Sequence, residues 1–299
     1  MELPREVAVI GAGTMGAGIA RVFADAGTRV RLCARRESSL AAARERLGAD
    51  AADVFLTTSA VEALAGAELV VESIVEAPEP KREVLAQAGE LAAPGAILTT
   101  NTSSLPLAAL AGAIERPARF AGLHWFDPPE LVELVEVVEG ERTSSETLGA
   151  LSTWMEELGK TPVVVRRDIP GFVANRLQYA LLREAYALVD AGVCSFADVD
   201  RAVTRGLGAR WAAIGPFEAM DLAGLDVHAA VAANLWPQLA NHEELSPSIA
   251  RALEAGALGV KSGRGLLGVY SGSAAAELTE RRDRMLRALP ALRDDPRET

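Results

Sequence analysis

The stretch that decides the fold reads VAVIGAGTMG, from Val7 to Gly16. Its opening apolar run is typical of a strand that is covered on both faces of a parallel sheet. A GxGxxG turn follows, and good helix formers continue from Ala17 to Ala26. GxGxxG alone is weak evidence. Between a strand and a helix it predicts a phosphate-binding turn, because the glycines let the backbone approach a pyrophosphate and the helix N-terminus offers free N–H groups. The residues predicted to bind the dinucleotide phosphates are Gly11, Gly13, Thr14, Met15 and Gly16.

Strand and helix patterns alternate as far as Val165, which predicts an α/β Rossmann-type N-terminal domain with a mainly parallel sheet. The predicted strands are Val7–Ile10, Val30–Cys33, Val54–Thr57, Leu69–Val75, Ala96–Thr99, Phe120–Leu123, Leu131–Val138 and Val163–Val165. The predicted helices are Ala17–Ala26, Ser38–Leu47, Pro80–Leu91 and Ser144–Leu158. After Pro170 the patterns are mostly helical, which predicts an all-α C-terminal domain. The predicted domains are therefore residues 1–169 and residues 170–299.

Composition and charge argue against several classes of protein. The 299 residues carry a formal net charge of -11, which repels phosphate backbones and makes nucleic acid an unsuitable partner. The two cysteines, Cys33 and Cys194, form no CxxC pair and no disulfide framework. The sequence shows no secretory signal pattern, and no apolar run approaches the ~18 residues that a membrane span needs. We expect a soluble, cytoplasmic protein without a membrane partner.

The end of the second predicted strand bears on the choice of cofactor. An NAD site usually carries an acid there, bonded to the ribose 2′-hydroxyl. In this chain Ala34 takes that place, and Arg35 and Arg36 follow it. Arginine binds a 2′-phosphate with paired donors, whereas a carboxylate repels it. The sequence therefore favours NADP, and NAD stays open because Glu37 can still reach the ribose.

One of the three histidines lies where acid–base chemistry is expected. His124 follows a predicted strand, in the segment GLHWFDPP, and the carboxyl ends of strands face the ligand crevice in this fold. A turn at Pro128 and Pro129 would fold Glu136 back towards this histidine. A histidine oriented by a carboxylate takes up a hydroxyl proton near neutral pH while hydride leaves the same carbon. The pair therefore indicates a dehydrogenase that acts on an alcohol.

These residues belong to a longer set of motifs, which together resemble the L-3-hydroxyacyl-CoA dehydrogenase family from Val7 to about Tyr270. In chain order the motifs are GAGTMG at Gly11–Gly16, VVESIVE at Val70–Glu76, NTSSL at Asn101–Leu105, the His124 segment, LVEV at Leu134–Val137, PGFVANRL at Pro170–Leu177, GPFE at Gly215–Glu218 and KSGRG at Lys261–Gly265. The resemblance implies an oxidoreductase that interconverts 3-hydroxyacyl (or 3-hydroxy acid) and 3-oxoacyl substrates with NAD(P), as in fatty acid metabolism.

The resemblance also implies a role for each matched residue. His124 would be the general acid/base, and Glu136 would orient it and stabilise the imidazolium. Ser103 would bond the reacting oxygen, and Asn175 would help to fix the substrate. Contacts to the cofactor are implied for Ser103, Glu76, Lys81 and Lys261.

Departures from the family pattern concern the cofactor and the substrate. Asp127 stands where the family usually has Asn beside the nicotinamide, and an ionised Asp accepts hydrogen bonds but does not donate them. The segment from Arg36 to Val54 is too short for the helical hairpin with which the family helps to hold the CoA nucleotide. RWAAIGPFE at Arg210–Glu218 looks like the L-gulonate and carnitine dehydrogenase branch, which acts on free 3-hydroxy acids. The substrate therefore stays open among a hydroxyacyl-CoA, a free hydroxy acid and a hydroxyacyl group on an acyl carrier protein.

Two further expectations concern assembly and the alternative class of function. Apolar residues recur at near-helical spacing at Leu181, Leu182, Ala185 and Leu188, which together with the resemblance predicts a homodimer. The alternative is a non-catalytic nucleotide-binding or structural protein on the same scaffold. The matched catalytic motifs argue against that alternative, because a binding module needs no acid–base pair.

Overall fold

The strand before the glycine turn lies inside an eight-stranded sheet in the computed structural model, which describes residues 2–48 and 53–292. The strands are β1 (Glu6–Ile10), β2 (Arg29–Cys33), β3 (Val54–Thr57), β4 (Leu69–Glu72), β5 (Ile97–Thr100), β6 (Phe120–Trp125), β7 (Leu134–Val138) and β8 (Thr161–Val165). Their order in the sheet is β3-β2-β1-β4-β5-β6-β7-β8. Because the chain crosses from β3 back to β4, a switch point lies between β1 and β4, and such switch points form ligand crevices in doubly wound sheets.

Strand directions decide which residues meet at the crevice. The pairs from β3 through β6 are all parallel, so that the carboxyl ends of β1, β4, β5 and β6 lie at one edge of the sheet. β7 runs antiparallel to β6 and parallel to β8. The prediction of a Rossmann-type unit with a mainly parallel sheet is confirmed.

Helices cover both faces of this sheet. They are α1 (Thr14–Asp25), α2 (Glu37–Leu47), α3 (Ala60–Leu64), α4 (Pro78–Leu91), α5 (Leu107–Ala111) and α6 (Ser145–Glu157), and a 3-10 turn lies at Pro117–Arg119. The five-residue helices α3 and α5 were not predicted, because they are too short to show a helical period. The start of α3 is marked by Ser59, whose hydroxyl oxygen accepts the N–H of Glu62, and an S-x-x-E pattern predicts such a start.

Alternate residues of β1 feed two separate apolar layers, since successive strand side chains point to opposite faces. Val7 and Val9 pack in one layer with Phe23 of α1. Ala8 and Ile10 pack in the other layer with Leu85 of α4. These central strand residues are at most 7% exposed, which explains why they read as a continuous apolar run rather than an alternating one.

The chain divides into two compact units, Met1–Arg176 and Leu177–Thr299. The helix α7 (Ala174–Asp190) begins in the first unit and continues into the second. The further helices are α8 (Phe196–Ala202), α9 (Gly208–Trp211), α10 (Pro216–Ala223), α11 (Leu225–Leu235), α12 (Pro247–Glu254) and α13 (Ala274–Ala288), with a π-helical turn at Val203–Leu207 and 3-10 turns at Trp236–Gln238, Val260–Ser262 and Pro290–Leu292. The prediction of a helical second domain is confirmed, with one correction to "all-α": β9 (Arg264–Gly265) and β10 (Gly268–Val269) form a small antiparallel ribbon.

The second unit has almost no interior of its own. Among its described residues, the buried ones are Ala232, Ser246 and Ser248. Large apolar side chains are exposed instead, including Phe217 at 84% and Leu222 at 82%. Nowhere in the described part of the chain does a helix have both the length and the apolar character to cross a bilayer.

Candidate active site

The three glycines of GxGxxG are required for different reasons. Gly11 has φ +117°, and a Cβ there would lie 2.2 Å from the carbonyl oxygen of Ser73. A Cβ on Gly16 would lie 1.7 Å from the carbonyl oxygen of Gly11, so Gly16 lets α1 pack on the turn. A Cβ on Gly13 would meet no heavy atom of the described residues within 4 Å. Packing within the chain therefore explains Gly11 and Gly16 but not Gly13.

The surroundings of Gly13 fit the phosphates of a dinucleotide. Gly13 is the N-cap of α1, its Cα is exposed, and the first turn of α1 holds no acidic residue and no side-chain cap. The N–H groups of this 12-residue helix and its positive dipole end are therefore available to an anion. Thr14 and Met15 lie in this first turn, beside the switch point.

A histidine and a glutamate face each other on the β6–β7 hairpin. His124 and Glu136 are direct cross-strand partners, and the Nδ1 atom of the ring lies 2.7 Å from Oε2 of the carboxylate. The two residues are 6% and 0% exposed. An ionised carboxylate only accepts, so Nδ1 carries the hydrogen and Nε2 is the ring nitrogen left for proton transfer.

The second oxygen of Glu136 is also engaged. Oε1 accepts the backbone N–H groups of Val173 and Ala174, at 2.9 and 2.8 Å. Burial raises the pKa of Glu136, but the hydrogen bonds from His124, Ala174 and Val173 outweigh it and hold that pKa below its ordinary value. Glu136 is therefore ionised near neutral pH, which suits a group that orients an imidazole.

Two aromatic rings fix the imidazole from its sides. The ring of Phe126 lies 4.5 Å from the ring of His124, and the ring of Phe172 lies 5.5 Å from it in an edge-on arrangement. Phe172 is 1% exposed and has φ +47°, a left-handed conformation that bulky residues rarely adopt. This conformation turns the chain so that the next two N–H groups reach Glu136. The motif PGFVANRL contained Phe172, but nothing in its sequence pattern marks that conformation.

The loop after β5 carries Ser103 and donates several hydrogen bonds to Glu76. Oε1 of Glu76 accepts the hydroxyl of Thr102 at 2.6 Å, the N–H of Ser103 at 3.0 Å, and the N–H and hydroxyl of Ser104 at 3.1 Å each. Burial raises the pKa of Glu76, yet the Thr102 hydroxyl, the charge of Lys81 and the Ser103 and Ser104 groups together lower it below its ordinary value.

A buried ion pair lies behind this loop. Lys81 is 0% exposed, and its Nζ donates to both carboxylate oxygens of Glu72 at 2.7 and 2.9 Å. Glu72, the last residue of β4, was not singled out in the sequence. Its place at a strand end in VVESIVE, four residues before Glu76, was the available signal.

Asn101 ties three strand ends together at the same edge. Its N–H donates to the carbonyl of Glu72, its side-chain oxygen accepts the N–H of Trp125, and its side-chain amide donates to Ser73. The glycine turn, the Ser103 loop and the His124 hairpin therefore all follow strands that end at one sheet edge.

The remaining predicted residues fall at different places. Asn175 lies half-buried in the first turn of α7. Arg35 and Arg36 are exposed at the junction of β2 and α2. Lys261 lies in the second unit, exposed in a 3-10 turn, and its contact with the cofactor stays a prediction. In the short segment from Arg36 to Val54, residues 49–52 lie outside the described residues.

A glycine turn at a sheet switch point, next to strand ends that carry a histidine–carboxylate pair and a serine loop, defines a nicotinamide-dependent dehydrogenase of the Rossmann type. Residues 6–169 match the NAD-binding domain of 3-hydroxyacyl-CoA dehydrogenases, and residues 171–268 match the C-terminal domain of the same enzymes. The chain belongs to the 3-hydroxyacyl-CoA dehydrogenase family, as the sequence motifs predicted.

Relatives with two different named activities match most of this chain. The chain is 35% identical over 277 residues to 5-formyl-3-hydroxy-2-methylpyridine 4-carboxylate 5-dehydrogenase from Mesorhizobium japonicum, with 88% of this chain and 90% of that one covered. A solved structure of an enzyme with this activity, described as an NAD⁺-dependent dismutase, matches with a TM-score of 0.92 at 34% identity over 96% of this chain and 98% of that one. The (S)-3-hydroxybutyryl-CoA dehydrogenase of Ralstonia eutropha matches with a TM-score of 0.71 at 31% identity over 90% of this chain and 99% of that one.

Alanine at Gly16 should lower the stability of the fold, whereas alanine at Gly13 should lower the affinity for the cofactor. Gly16→Ala should destabilise the fold by roughly 1–3 kcal/mol, because the added methyl collides with backbone. Gly13→Ala should leave the unfolding midpoint unchanged, since φ is −73° there, and weaken cofactor binding at least about tenfold, ~1.4 kcal/mol. Thermal unfolding and calorimetric titration of both variants test this. Unchanged cofactor affinity in Gly13→Ala would contradict the placement of the phosphates.

Proposed function

We propose that this protein is an oxidoreductase that interconverts a 3-hydroxyacyl or 3-hydroxy acid substrate and its 3-oxo form, with His124 and Glu136 as the acid/base pair. One observation carries the proposal. His124 Nδ1 lies 2.7 Å from a buried carboxylate whose other oxygen is held by two backbone amides. The imidazole is thus oriented through one nitrogen and free to exchange a proton through the other.

The proton follows a short route in the oxidation direction. The substrate O–H bond breaks and its proton passes to Nε2 of His124, while the electron pair of the neighbouring C–H bond leaves as hydride. A bound nicotinamide supplies the acceptor for that hydride. Glu136 stabilises the imidazolium that forms, because its charge is fixed against the ring and its pKa is low.

Ser103 and Asn175 complete the proposed site. The hydroxyl of Ser103 would donate a hydrogen bond to the reacting oxygen, and it lies in a loop ordered by Glu76. Asn175 would fix the substrate from the first turn of α7, next to the amides that hold Glu136. These two roles follow from the family resemblance and from the positions of both residues near the strand ends that carry His124.

The cofactor is a nicotinamide dinucleotide, and we propose a preference for NADP over NAD. Ala34 leaves no carboxylate at the end of β2, and the exposed guanidinium groups of Arg35 and Arg36 pair with no carboxylate among the described residues. Arg36 is the N-cap of α2, so a 2′-phosphate there would also meet free helix N–H groups. Glu37, in the first turn of α2, is the feature that favours NAD.

We propose that the substrate is held without a grip on a CoA nucleotide. α2 ends at Leu47 and β3 begins at Val54, which leaves little chain for an extra hairpin. The pyridine-carboxylate dehydrogenase, named for a small free acid, has a higher TM-score than the CoA dehydrogenase. A free hydroxy acid of the L-gulonate or carnitine kind, or a hydroxyacyl group on an acyl carrier protein, fits this feature.

We also propose that the second unit forms a homodimer. Its described residues bury almost no apolar side chain, while Phe217, Leu222 and Trp236 are 84%, 82% and 66% exposed. Burial of apolar surface is the main force that stabilises folded units, so a unit of this kind is completed by a partner surface.

A non-catalytic nucleotide-binding protein on this scaffold is the second candidate function. It would keep the glycine turn, but it has no use for a histidine buried against a carboxylate, since burying such a pair without a function costs free energy. Cofactor reduction with a panel of 3-hydroxy acids and their thioesters separates the two candidates. Binding of cofactor without turnover on any member would favour the second.

His124→Asn should lower kcat by roughly 10²–10⁴-fold and leave cofactor affinity nearly intact, because it removes the base and not a phosphate contact. Glu136→Gln should lower kcat less, since the base stays present but poorly oriented. Steady-state kinetics with pH–rate profiles measure both effects. His242→Asn is the matched control, because that histidine is exposed in the second unit. Near-normal turnover in His124→Asn would overturn the mechanism.

Replacing Arg35 with Asp and Arg36 with Gln should weaken NADP binding far more than NAD binding. Charged hydrogen bonds contribute about 1.5–3 kcal/mol, so the expected loss for NADP is roughly 10- to 100-fold. Titration calorimetry of both cofactors measures the ratio. Arg46→Gln, an exposed substitution in the last turn of α2, should change neither affinity. Tighter binding of NAD than NADP by the wild-type protein would refute the preference.

A full CoA thioester should gain little over the matching pantetheine thioester as a substrate. The expected ratio of kcat/KM is below about tenfold, because the segment between α2 and β3 is too short for the hairpin that helps to hold the CoA nucleotide in the family. Initial rates with 3-hydroxybutyryl-CoA, 3-hydroxybutyryl-pantetheine and free 3-hydroxybutyrate give the comparison. A hundredfold advantage for the CoA thioester, roughly 2.7 kcal/mol, would restore a CoA-binding role.

The protein should sediment as a dimer at micromolar concentration. Phe217→Ser should shift it towards the monomer, because Phe217 is the kind of exposed apolar side chain that an interface buries. Phe55→Ser, which changes a 55% exposed phenylalanine in the first unit, should leave the dimer intact. A wild-type monomer in sedimentation velocity would rule out this assembly.

A further inference from the structure

The loop that carries Ser103 depends on a single carboxylate oxygen. Oε1 of Glu76 accepts both the Ser103 and Ser104 N–H groups, as well as the hydroxyls of Thr102 and Ser104. One acceptor atom therefore sets the path of three consecutive residues. The hydroxyl oxygen of Ser103 lies 3.5 Å from the same oxygen of Glu76, which is a long hydrogen bond. The hydroxyl is therefore weakly bound and available to a ligand.

The other oxygen of Glu76, Oε2, forms an ion pair with Lys81. Nζ of Lys81 lies 3.4 Å from Oε2 of Glu76, and the lysine side chain is 1% exposed. The same Nζ donates to Oε1 and Oε2 of Glu72. Glu72 is fixed in turn by the N–H of Ile74 at 2.7 Å and the hydroxyl of Thr100 at 2.6 Å. The chain of contacts runs from the body of the sheet to the Ser103 loop.

The charges in this cluster restrict what Lys81 can do. An ammonium has three N–H donors. Three carboxylate oxygens lie within reach of Nζ, at 2.7, 2.9 and 3.4 Å. Nζ donates to both oxygens of Glu72 and forms an ion pair with Oε2 of Glu76 at 3.4 Å, so the buried ammonium is committed to two carboxylates within the chain. This arrangement differs from the cofactor contact that the family resemblance implies for Lys81.

We propose that Glu72 and Lys81 are positioning residues, which hold the Glu76 carboxylate so that it orders residues 102–104 and places the Ser103 hydroxyl for the reaction. The proposal rests on the proposed function, because it takes Ser103 as the group that contacts the reacting oxygen. Its consequence is that loss of the lysine charge acts on turnover through the loop and not on cofactor affinity.

Amide hydrogen exchange tests the first link without any substrate. In the wild-type protein the Ser103 and Ser104 amides should exchange slowly, because both are bonded to Glu76. Glu76→Gln, Lys81→Met and Thr100→Val should each accelerate exchange in residues 102–104, by about tenfold or more for the first two and less for the third. If Lys81→Met fails to fold, the double variant Glu72→Gln with Lys81→Met removes both charges together and takes its place.

Thr99→Val is the matched control for Thr100→Val. Both threonines are buried in β5 at 0% exposure, but the Thr99 hydroxyl donates to the carbonyl of Val70 and not to a carboxylate of the cluster. A comparable loss of stability is expected from both substitutions. Accelerated exchange in residues 102–104 is expected only from Thr100→Val.

Kinetics separate positioning from direct contact. The expected result for Lys81→Met is a fall in kcat of about tenfold or more, with the dissociation constant for NADPH within about threefold of the wild-type value. Unchanged protection of the loop with NADPH binding weakened more than tenfold would overturn the proposal in favour of a cofactor contact. Equally accelerated amide exchange in residues 102–104 of Thr99→Val and Thr100→Val would overturn it in favour of general destabilisation. If the wild-type protein turns over no member of the substrate panel, the proposed function fails, and the exchange data still decide whether the cluster orders the loop.

Discussion

The candidate site depends on the hydrogen bonds that the Glu136 carboxylate accepts through its two oxygens. One oxygen holds the imidazole of His124, and the other holds the chain as it leaves the last strand and enters α7. β7 runs antiparallel to β6, and its register sets residue 136 directly across from residue 124. A buried carboxylate is costly unless each oxygen is hydrogen-bonded, and here three donors bond the two oxygens. The change of strand direction between β6 and β7 thus goes together with the His124–Glu136 contact.

Much of the first unit could be predicted from the sequence, because its strands are buried on both faces and its glycine turn is short and local. The parts that escaped prediction depend on three-dimensional contacts. α3 and α5 are too short for a helical period. Glu72 and Lys81 are nine residues apart, and only the βα connection brings them together. Phe172 has φ +47° and packs against His124, and no local pattern predicts a bulky residue in that conformation.

The polar residues at the sheet edge form one connected arrangement. Asn101 bonds to the ends of β4 and β6, Glu72 bonds to the end of β5, and Glu76 bonds to the loop beyond it. Each buried acceptor is matched by a nearby donor, so the desolvation of several charges is offset by hydrogen bonds within a low-dielectric region. Such an arrangement tolerates little displacement, and this rigidity suits a site that must align a hydroxyl, a base and a hydride acceptor.

The region that bears on the choice of cofactor and substrate follows β2, apart from the His124–Glu136 pair. Ala34 is half-buried just after β2, Arg35 and Arg36 after it are exposed, and the short α2 segment lies beyond them. Neither contacts the His124–Glu136 pair in the described structure, so each can vary without disturbing the acid–base chemistry. The contacts of the described residues therefore separate two regions: hydrogen bonds hold the His124–Glu136 pair and the polar residues after β4 and β5, whereas Arg35 and Arg36 after β2 take part in none of these bonds. Relatives of this chain are named for compounds as different as a pyridine carboxylate and a hydroxybutyryl-CoA, and a region outside the hydrogen-bonded His124–Glu136 arrangement is one in which such relatives can differ.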